Sequence, residues 1–443
     1  MRWVRSAAVV AAVLLGATAC SAGGPAGSSG SEPAVLPTAP AVPAGPVRPT
    51  ASQALDRLVA APLDLDDAAV EVVGRSGDAR LAWLLVDLLR FQLDFESDPP
   101  LLDGLDRLTG YRAPTDPSTV AWVAYADALL RWDTPAPPGY LDWKRQIYLA
   151  VEPAWEPFFD DDASTLDWRH VMWGGVARDA IAALVDPTTL AANDGSWLPD
   201  EDVVFGVVVD GQARAYPRRI MEVHELANDT LGGRRIGIPY CTLCGTAVGY
   251  YLDRQPAGVG TLELRTSGLL QRSNKLMYDA RTESLLDQFS GQALTGPLAE
   301  KSIELERFSV VTTTWAEWRH AHPETTILAA DPGTGRDYEA DPLGGRDDNG
   351  PIFPIGQRDD RLPVQEPVVG VVTPTGVAVA FAVAEAKAEL AAGQPVTLAG
   401  VEVRLDAGGL IAVLASGPEL PTSQSFWFAW SQFHPGTLLW RAP

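Results

Sequence analysis

The pattern of apolar residues changes once along this chain, near Trp173, and that change limits what the chain can fold into. Across residues 51–165, leucines recur three and four positions apart, most clearly between Leu81 and Leu89, which is typical of amphipathic helices. After Trp173, short β-branched runs alternate with turn residues. The sequence therefore predicts an α+β chain, with a small all-α domain at 51–165 and a larger, mainly antiparallel β-rich domain at 170–443.

The helical region begins with a pattern typical of paired helices. Asp66 or Asp67 can cap a short helix that ends at Gly74, and Asp78 can cap a longer helix that runs to Leu93. A short helix, a glycine turn and a longer helix resemble one unit of a HEAT-type repeat. Further helices are predicted at 101–108 and 118–132. We therefore expect a small helical domain that is HEAT-like in its first unit.

A hairpin gives the clearest strand signal. Residues 203–209 form an apolar run, Asp210-Gly211 suits a type I′ turn, and 212–216 forms the returning strand. Pro217 suits the first turn of a helix that is predicted to run to about Asp229. Further strands are predicted at 235–240, 247–252, 261–265, 275–278, 285–289, 368–372, 377–383 and 401–405, with a short helix opened by the capping box Thr314-Trp-Ala-Glu317 and a long ordered loop at 331–363.

The N-terminus has the layout of a secretory signal peptide. Arg2 and Arg5 precede an apolar run at 7–16, and small residues lead to Cys20. A cysteine at that place predicts a bacterial lipoprotein, with a signal peptide at 1–19 and a lipid on Cys20; ordinary cleavage or an uncleaved anchor are the alternatives. Residues 20–50 are rich in Pro, Gly, Ser and Ala and predict a disordered tether. The body is then extracytoplasmic and held to the bilayer by its lipid.

The net charge of −23 excludes some partners. An acidic body is repelled by phosphate backbones and by anionic headgroups, so nucleic-acid binding is not expected and membrane contact should come through the lipid alone. The acidic helical region is a candidate surface for a protein partner.

The motif Tyr240-Cys-Thr-Leu-Cys-Gly245 carries the best candidates for chemistry, and it has three interpretations. Cys241 and Cys244 could form a structural disulfide, a redox-active dithiol or half of a metal knuckle. In the metal interpretation His224 is the third ligand and Met277, His320 or His322 the fourth, around a copper or zinc ion. In the redox interpretation Cys241 is the attacking thiol, and His224 or Glu225 accepts its proton. Gly245 excludes haem attachment, and no nucleotide is expected.

Hydrogen-bonding side chains cluster around this motif in the sequence. On the predicted helix after Pro217, His224 and Asn228 share one face, beside Glu225 and Asp229. Further residues downstream would either line a polar pocket or simply close turns through their side chains. The candidates for the pocket are Glu225, Asn228, Tyr240, Ser267, Asn274, Asp279, Arg281 and Gln288.

The chain from Trp173 to its C-terminus resembles the bacterial family called domain of unknown function 3179. The matching motifs include Ala213-Arg-Ala-Tyr-Pro217, His224-Glu225, Tyr240-Cys-Thr-Leu-Cys-Gly245, Met277-Tyr278-Asp279, Asp360-Arg-Leu-Pro363 and Phe426-Trp-Phe-Ala-Trp430. The resemblance implies an exported or lipid-anchored bacterial protein and no established activity. A transition-metal site at Cys241, Cys244 and His224 is our first hypothesis, a thiol–disulfide redox protein the second, and a non-catalytic scaffold with an inert disulfide the third.

Overall fold

The structure is a computed structural model that describes residues 36–92, 98–115, 120–159, 164–345, 350–415 and 417–442. The predicted signal peptide, Cys20 and the first part of the predicted tether lie outside these residues. Within them, no helix has both the length and the apolar character needed to cross a bilayer.

Helices make up the N-terminal part, as the leucine spacing predicts. They are α1 (Pro49–Ala60), α2 (Asp67–Gly74), α3 (Ala82–Arg90), α4 (Pro99–Thr109), α5 (Ala121–Arg131) and α6 (Tyr140–Val151), with 3₁₀ turns at Ala79–Leu81, Pro153–Phe159 and Trp168–His170. The Asp66 carboxylate accepts the backbone N–H groups of Ala68 and Ala69, so it caps α2 as predicted. Asp78 likewise caps the 3₁₀ turn that leads into α3.

The remainder is rich in short strands, with a few helices between them. The strands that precede residue 330 are β1 (Val171–Trp173), β2 (Leu184–Val185), β3 (Thr189–Ala191), β4 (Val203–Val209), β5 (Gln212–Pro217), β6 (Leu226–Leu231), β7 (Arg234–Cys241), β8 (Thr246–Ala247), β9 (Gly249–Tyr251), β10 (Leu264–Gln271), β11 (Asn274–Asp279), β12 (Leu285–Asp287), β13 (Arg307–Phe308), β14 (Val311–Thr314) and β15 (Thr326–Leu328). Those that follow are β16 (Pro367–Val372), β17 (Ala378–Ala382), β18 (Val396–Leu398), β19 (Val401–Asp406), β20 (Gly409–Leu414), β21 (Glu419–Leu420), β22 (Ser423–Phe426) and β23 (Leu438–Trp440). The helices are α7 (Arg218–His224), α8 (Gly296–Glu300), α9 (Trp315–Ala321), α10 (Val383–Ala391) and α11 (Trp427–Phe433), with a 3₁₀ turn at Ala192–Asp194.

The strands form five sheets in which antiparallel pairs predominate, so the predicted mixed α+β character is confirmed. Sheet 1 has the order β1-β10-β11-β12, sheet 2 β13-β9-β7-β6-β2, sheet 3 β14-β4-β5-β15-β3, sheet 4 β22-β16-β17-β23 and sheet 5 β18-β19-β20-β21. The predicted hairpin is β4–β5, in which Asp210 and Gly211 both have positive φ, as a type I′ turn requires. The HEAT-like character of the helices stays a prediction.

The helical part and sheet 1 share one apolar core. The cluster that contains Leu85 and Ile147 of the helices also contains Leu269, Leu276 and Tyr278 of β10 and β11. The indole of Trp155 donates to the Ser267 carbonyl across this junction, at 2.8 Å. The helices therefore pack directly on the β-rich part.

The predicted helix after Pro217 is shorter than the sequence analysis expects. Helix α7 ends at His224 because Glu225 has a left-handed backbone with φ of 54°, and the chain turns into strand β6. Asn228 and Asp229 therefore lie on a strand, and the prediction that His224 and Asn228 share a helix face is wrong. Helical spacing does not apply to His224 and Asn228 because the chain reverses at Glu225, which lies between them.

The strand order of sheets 3 and 2 recurs in sheets 4 and 5. In sheet 3 the hairpin β4–β5 has β14 antiparallel beside β4 and β15 parallel beside β5; in sheet 4 the hairpin β16–β17 has β22 and β23 in the same relation. The order β13-β9-β7-β6 of sheet 2 likewise matches the order β21-β20-β19-β18 of sheet 5. We infer an internal duplication, with a first copy at 203–328 and a second copy at 367–440.

Side chains and strand register repeat along with the topology. Val311 pairs with Gly206 in the first copy, as Ser423 pairs with Gly370 in the second. The motif Trp315, Trp318, His322, Pro323, Thr325 recurs as Trp427, Trp430, His434, Pro435, Thr437. In both copies the second indole donates to the threonine hydroxyl at 2.9 Å and lies 4.1 Å from the histidine ring. Strands β10–β12, inserted between β9 and β13, have no counterpart among the residues that the structure describes between β20 and β21.

Each copy leaves room for its second tryptophan by placing a glycine opposite the indole. A Cβ on Gly206 would lie 2.3 Å from the Trp318 ring, and a Cβ on Gly370 would lie 2.2 Å from the Trp430 ring. We expect Gly206→Ala and Gly370→Ala each to lower the free energy of unfolding by about 2–3 kcal/mol, because the indole cannot move within a packed core. Urea unfolding measures this. Gly436→Ala is the control, since nothing lies within 4 Å of its added Cβ; glycine variants as stable as this control would contradict the prediction.

Candidate functional site

The two cysteines lie at the tip of a short hairpin. Cys241 ends β7 and pairs with Thr246 of β8, so Cys244 and Gly245 lie in the connecting turn. Both cysteines are free thiols and both are buried, with 2% of Cys241 and 0% of Cys244 exposed. Gly245 has a φ of 60°, and a Cβ there would lie 2.9 Å from the Phe426 ring. The turn therefore needs glycine both for its backbone and for its contact with the second copy.

The internal duplication shows what is special about this turn. The corresponding turn of the second copy, residues 406–409 between β19 and β20, also contacts the other copy through a carbonyl: Ala407 O accepts from the Thr313 hydroxyl, whereas Cys244 O accepts from the Phe426 backbone N–H. Residues 406–409 read Asp-Ala-Gly-Gly and carry no thiol. The packing role of the turn therefore does not require cysteines.

A buried lysine lies beside Cys241. The Nζ of Lys275, on β11 of the inserted segment, donates to the Tyr240 carbonyl at 2.9 Å and to the Glu225 carbonyl at 3.0 Å, and it pairs with the Glu225 carboxylate at 2.5 Å. The carbonyl of Tyr240 immediately precedes Cys241. Only 5% of Lys275 is exposed. The insertion in the first copy thus brings a fixed positive charge to the thiols.

The surroundings shift the pKa values of the two thiols in opposite directions. Burial raises the pKa of a thiol, but for Cys241 the hydrogen bond from the Cys244 thiol, the Lys275 ammonium and the Cys244 backbone N–H outweigh burial, so its pKa lies below the ordinary value. Burial and the neighbouring Cys241 hold the pKa of Cys244 well above the ordinary value. Cys241 is therefore the thiol that ionises first.

A cavity of about 130 Å³ opens beside Cys241. Cys241 lines it and Cys244 does not, so the more acidic of the two cysteines is the one that borders the open space. Glu225 and Lys275 form part of its polar wall. The apolar wall comes from the insertion, from Leu243 in the turn and from the loop before β16, with Leu269, Leu270, Leu276, Ile352 and Phe353.

Gln288 is the one further predicted pocket residue whose side chain reaches the thiols in the described part of the chain. Its Oε1 lies 3.9 Å from the Sγ of Cys244, and its Nε2 donates to the Thr246 carbonyl at 3.1 Å and the Pro239 carbonyl at 3.4 Å. Gln288 is fully buried. It therefore fixes the cysteine turn against β12.

The side chain of Tyr240 points away from the cavity, and its ring packs 4.7 Å from the ring of Phe205. Burial raises the pKa of its hydroxyl. Tyr240 serves the site through its carbonyl.

The other predicted pocket residues hold strands and turns together. Asn228 bonds both backbone groups of Leu264, which joins sheet 2 to sheet 1. Ser267 donates to the Leu276 carbonyl, and Asn274 donates to the Arg272 carbonyl. The Asp279 carboxylate accepts from the backbone N–H groups of Glu263 and Thr282, and the Arg281 guanidinium donates to the Val259 carbonyl. The turn interpretation of the sequence analysis accounts for these residues.

The structure does not bring His224 to the thiols. Its Nδ1 lies 2.7 Å from the Ala182 carbonyl and its Nε2 lies 2.5 Å from the Tyr338 hydroxyl, so both ring nitrogens have other partners. Met277 packs in a different apolar cluster, with Leu226 and Tyr250, from the cluster that holds the cysteines. The chain reverses at Glu225, directly after His224, and the imidazole contacts Ala182 and Tyr338.

The donor set at the thiols is a poor fit for the predicted copper or zinc ion. Among the residues that the structure describes, no group of three His, Cys, Asp or Glu side chains is placed to hold a metal ion. The Lys275 ammonium acts electrostatically on Cys241, repels a cation and occupies the Glu225 carboxylate. His320 and His322 lie at the end of α9, in the first copy's tryptophan motif.

Residues 178–416 match the family described as Protein of unknown function (DUF3179). The chain belongs to this family. The match covers both copies of the duplicated unit as far as β20 and includes the cysteine turn, the inserted segment and Lys275. A search of curated proteins and a search of solved structures each found no match. The family carries no established activity.

Sequence reasoning missed the lysine and the cavity wall. Lys275 is a lone charged residue at the start of a run that was predicted as a strand, followed by Leu276, Met277 and Tyr278. A lysine inside an apolar strand is a usable signal, because lysine is rarely buried without a partner. Ile352 and Phe353 lie in a loop and gave no such signal.

Proposed function

We propose that Cys241 and Cys244 form a redox-active dithiol that cycles between two thiols and a disulfide, with Cys241 as the attacking thiol and Cys244 as its resolving partner. The observation that carries this proposal is the placement of Lys275. A buried ammonium beside Cys241, together with the thiol of Cys244, supports a thiolate at one position only. A two-thiol redox site needs this difference, because one sulfur attacks as a thiolate and the other stays protonated until it resolves the intermediate.

The duplication supports the same conclusion. Both copies keep the turn, whereas the two thiols and the inserted segment, which supplies Lys275 and part of the cavity wall, belong to the first copy. A purely structural disulfide would add little here, since closing a loop of four residues stabilises a chain by only about 2 kcal/mol. A redox role for the two thiols therefore accounts for their presence in one copy better than a gain in stability does.

Alkylation kinetics and redox equilibration test the proposal. Reduced protein is treated with iodoacetamide, and each cysteine is followed by mass spectrometry, in the wild type and in Cys241→Ser and Cys244→Ser. We expect Cys241 to react at least about tenfold faster than Cys244 at pH 7, since one pKa unit changes the thiolate fraction of a weakly ionised thiol tenfold. In small-molecule dithiol buffers the pair should form a disulfide with a potential above about −300 mV.

The alternatives predict different results in the same experiment. A bond that resists reduction under these buffers would favour the inert scaffold. Metal analysis of the reduced protein gives the third outcome: about one equivalent of copper or zinc that is lost in both serine variants would replace the redox proposal with the metal site.

We also propose that the chain is tethered to a membrane through a lipid on Cys20, with its body extracytoplasmic. The support is the pattern of residues 1–20 and the spacer that follows, ahead of α1 at Pro49. We expect the wild type expressed in bacteria to fractionate with membranes and to incorporate labelled palmitate, and Cys20→Ser to lose both properties. Cys241→Ser is the matched control and should stay in the membrane fraction; release of that variant, or retention of label by Cys20→Ser, would contradict the proposal.

A further inference from the structure

The accessibility of the two sulfurs limits what can oxidise them. Thiol–disulfide exchange with a protein requires the partner's disulfide to approach the attacking sulfur in line, so the sulfur must be accessible. Cys241 is 2% exposed and Cys244 is fully buried. The open space at Cys241 is a cavity of about 130 Å³, close to the volume of roughly 150 Å³ that holds a benzene-sized guest in a protein core. A macromolecule or a bulky disulfide does not fit into this space.

The lining of the cavity indicates the chemistry of a small occupant. Leu269, Leu270 and Leu276 form an apolar wall, and the loop residues Ile352 and Phe353 complete it. The polar groups, Lys275 and Glu225, are the two charged residues that act electrostatically on Cys241. An occupant with a short apolar body and one polar end therefore fits with its polar end towards Cys241.

We propose that the oxidant of this dithiol is a small organic hydroperoxide, which is reduced to its alcohol in the cavity at Cys241. This inference rests on the proposed redox function and specifies its substrate class. The Lys275 ammonium already donates to the Tyr240 carbonyl and to both the carbonyl and the carboxylate of Glu225, so it acts on the departing oxygen through its charge alone, and the apolar wall receives the alkyl group.

The reaction balances in two steps. The Cys241 thiolate attacks the terminal oxygen of the hydroperoxide, so an S–O bond forms, the O–O bond breaks, and the alkoxide leaves and takes up the proton that Cys241 had released. Cys241 is then a sulfenic acid. The Cys244 sulfur attacks it, the S–S bond forms, the S–O bond breaks, and hydroxide leaves with the Cys244 proton as water. Two thiols lose two electrons in total, and the hydroperoxide gains them.

Rates of single-turnover oxidation test the inference. Fully reduced protein is mixed with tert-butyl hydroperoxide, hydrogen peroxide or oxidised glutathione, and disulfide formation is followed by quenched mass spectrometry. We expect tert-butyl hydroperoxide to react at least about tenfold faster than with free cysteine, because the apolar wall holds its alkyl group and a thiol with a lowered pKa has a larger thiolate fraction. Hydrogen peroxide should react more slowly than tert-butyl hydroperoxide, since it leaves the apolar wall unfilled. Oxidised glutathione should show no acceleration over free cysteine. In Cys244→Ser, dimedone should trap a sulfenic acid at Cys241.

Variants at the mouth of the cavity give the matched controls. Ile352 is 40% exposed, so it can be changed without cost to the core. We expect Ile352→Trp to slow the tert-butyl hydroperoxide reaction about tenfold by filling the cavity, and Ile352→Ala to speed the reaction with oxidised glutathione. Val372→Ala changes a residue of similar exposure that does not line the cavity and should change neither rate.

The outcomes separate the substrate class from the function. If a disulfide forms in dithiol buffers but hydroperoxides react no faster than with free cysteine, the redox function stands and the substrate class is overturned. Equal acceleration by oxidised glutathione and tert-butyl hydroperoxide also overturns it. If no oxidant or buffer produces the disulfide, the proposed function fails together with this inference.

Discussion

Lys144→Met is expected to lower the free energy of unfolding by about 3–5 kcal/mol, the largest effect of any single substitution proposed for this protein. The Lys144 ammonium, on α6, donates to Asp87 of α3 at 2.7 and 3.0 Å and to the Tyr140 hydroxyl at 3.1 Å. The Tyr148 hydroxyl donates to the same carboxylate at 3.2 Å. Only 1% of the Lys144 side chain and 6% of the Asp87 side chain are exposed.

The physical reason is that the substitution leaves the buried Asp87 carboxylate without its counter-ion. Burial raises the pKa of Asp87 and lowers the pKa of Lys144, the directions expected when charged groups leave water, and each charge is tolerated because of the other. Removing the ammonium leaves a carboxylate with only two hydroxyl donors in an apolar core. The folded state must then either bury an unpaired charge or protonate Asp87, and both are unfavourable.

Urea unfolding, followed by tryptophan fluorescence, measures the effect. The matched control is the double variant Lys144→Met with Asp87→Leu, which removes both charges and should recover much of the lost stability, because a well-packed apolar pair often replaces a buried ion pair without penalty. If the free energy of unfolding of Lys144→Met lies within about 1 kcal/mol of the wild-type value, Asp87 has found another partner and the prediction is wrong.

Lys275→Met is expected to slow alkylation of Cys241 at pH 7 by about tenfold, the value for a rise of one pKa unit. Lys275 lowers the pKa of Cys241, whereas Glu225 raises it. Removing the lysine therefore moves the titration of Cys241 to higher pH, so that less thiolate is present at neutral pH. The measurement is the rate of iodoacetamide modification of Cys241 between pH 5 and pH 10.

Glu225→Gln provides a control of opposite sign. It removes the negative charge that opposes the thiolate and keeps the ammonium, so the titration of Cys241 should move to lower pH and the rate at neutral pH should rise. Both variants disturb the same buried cluster, and general loosening of the structure would change both rates in one direction. Rate changes of opposite sign in the two variants thus establish an electrostatic effect. Rate changes of the same sign would contradict the proposal that Lys275 lowers the pKa of Cys241.

The local elements of the fold followed from the sequence because their signals are short-range. The Asp210-Gly211 turn, the cap at Asp66 and the capping box at Thr314 each depend on residues within four positions of one another. Predicted strands such as 368–372 and 401–405 were confirmed as β16 and β19 for the same reason. Apart from the β4–β5 hairpin, pairing partners were not predicted, because most of them lie far apart in the chain.

The duplication was readable in the sequence but was missed. The motif of Trp315, Trp318, His322 and Thr325 recurs at Trp427, Trp430, His434 and Thr437 with the same internal spacing. The stretch of 55 residues between β9 and β13, 252–306, obscures the repeat, because it lengthens the first copy relative to the second. Strand order and register recover the relation directly, since they do not depend on chain length between strands.

The chain by itself determined the composition of its parts: helices first, strands afterwards, a signal-like N-terminus, and two cysteines in one tight turn. Those features depend on neighbouring residues and on the period of the apolar pattern, which a linear sequence contains in full. Only the tertiary structure decided which charged group stands beside the thiols. The left-handed turn at Glu225 carries His224 away, and an inserted strand delivers Lys275 from 34 positions beyond Cys241. Contact between segments that are remote along the chain depends on how sheets pack, so the chemistry of this site became visible only in the folded molecule.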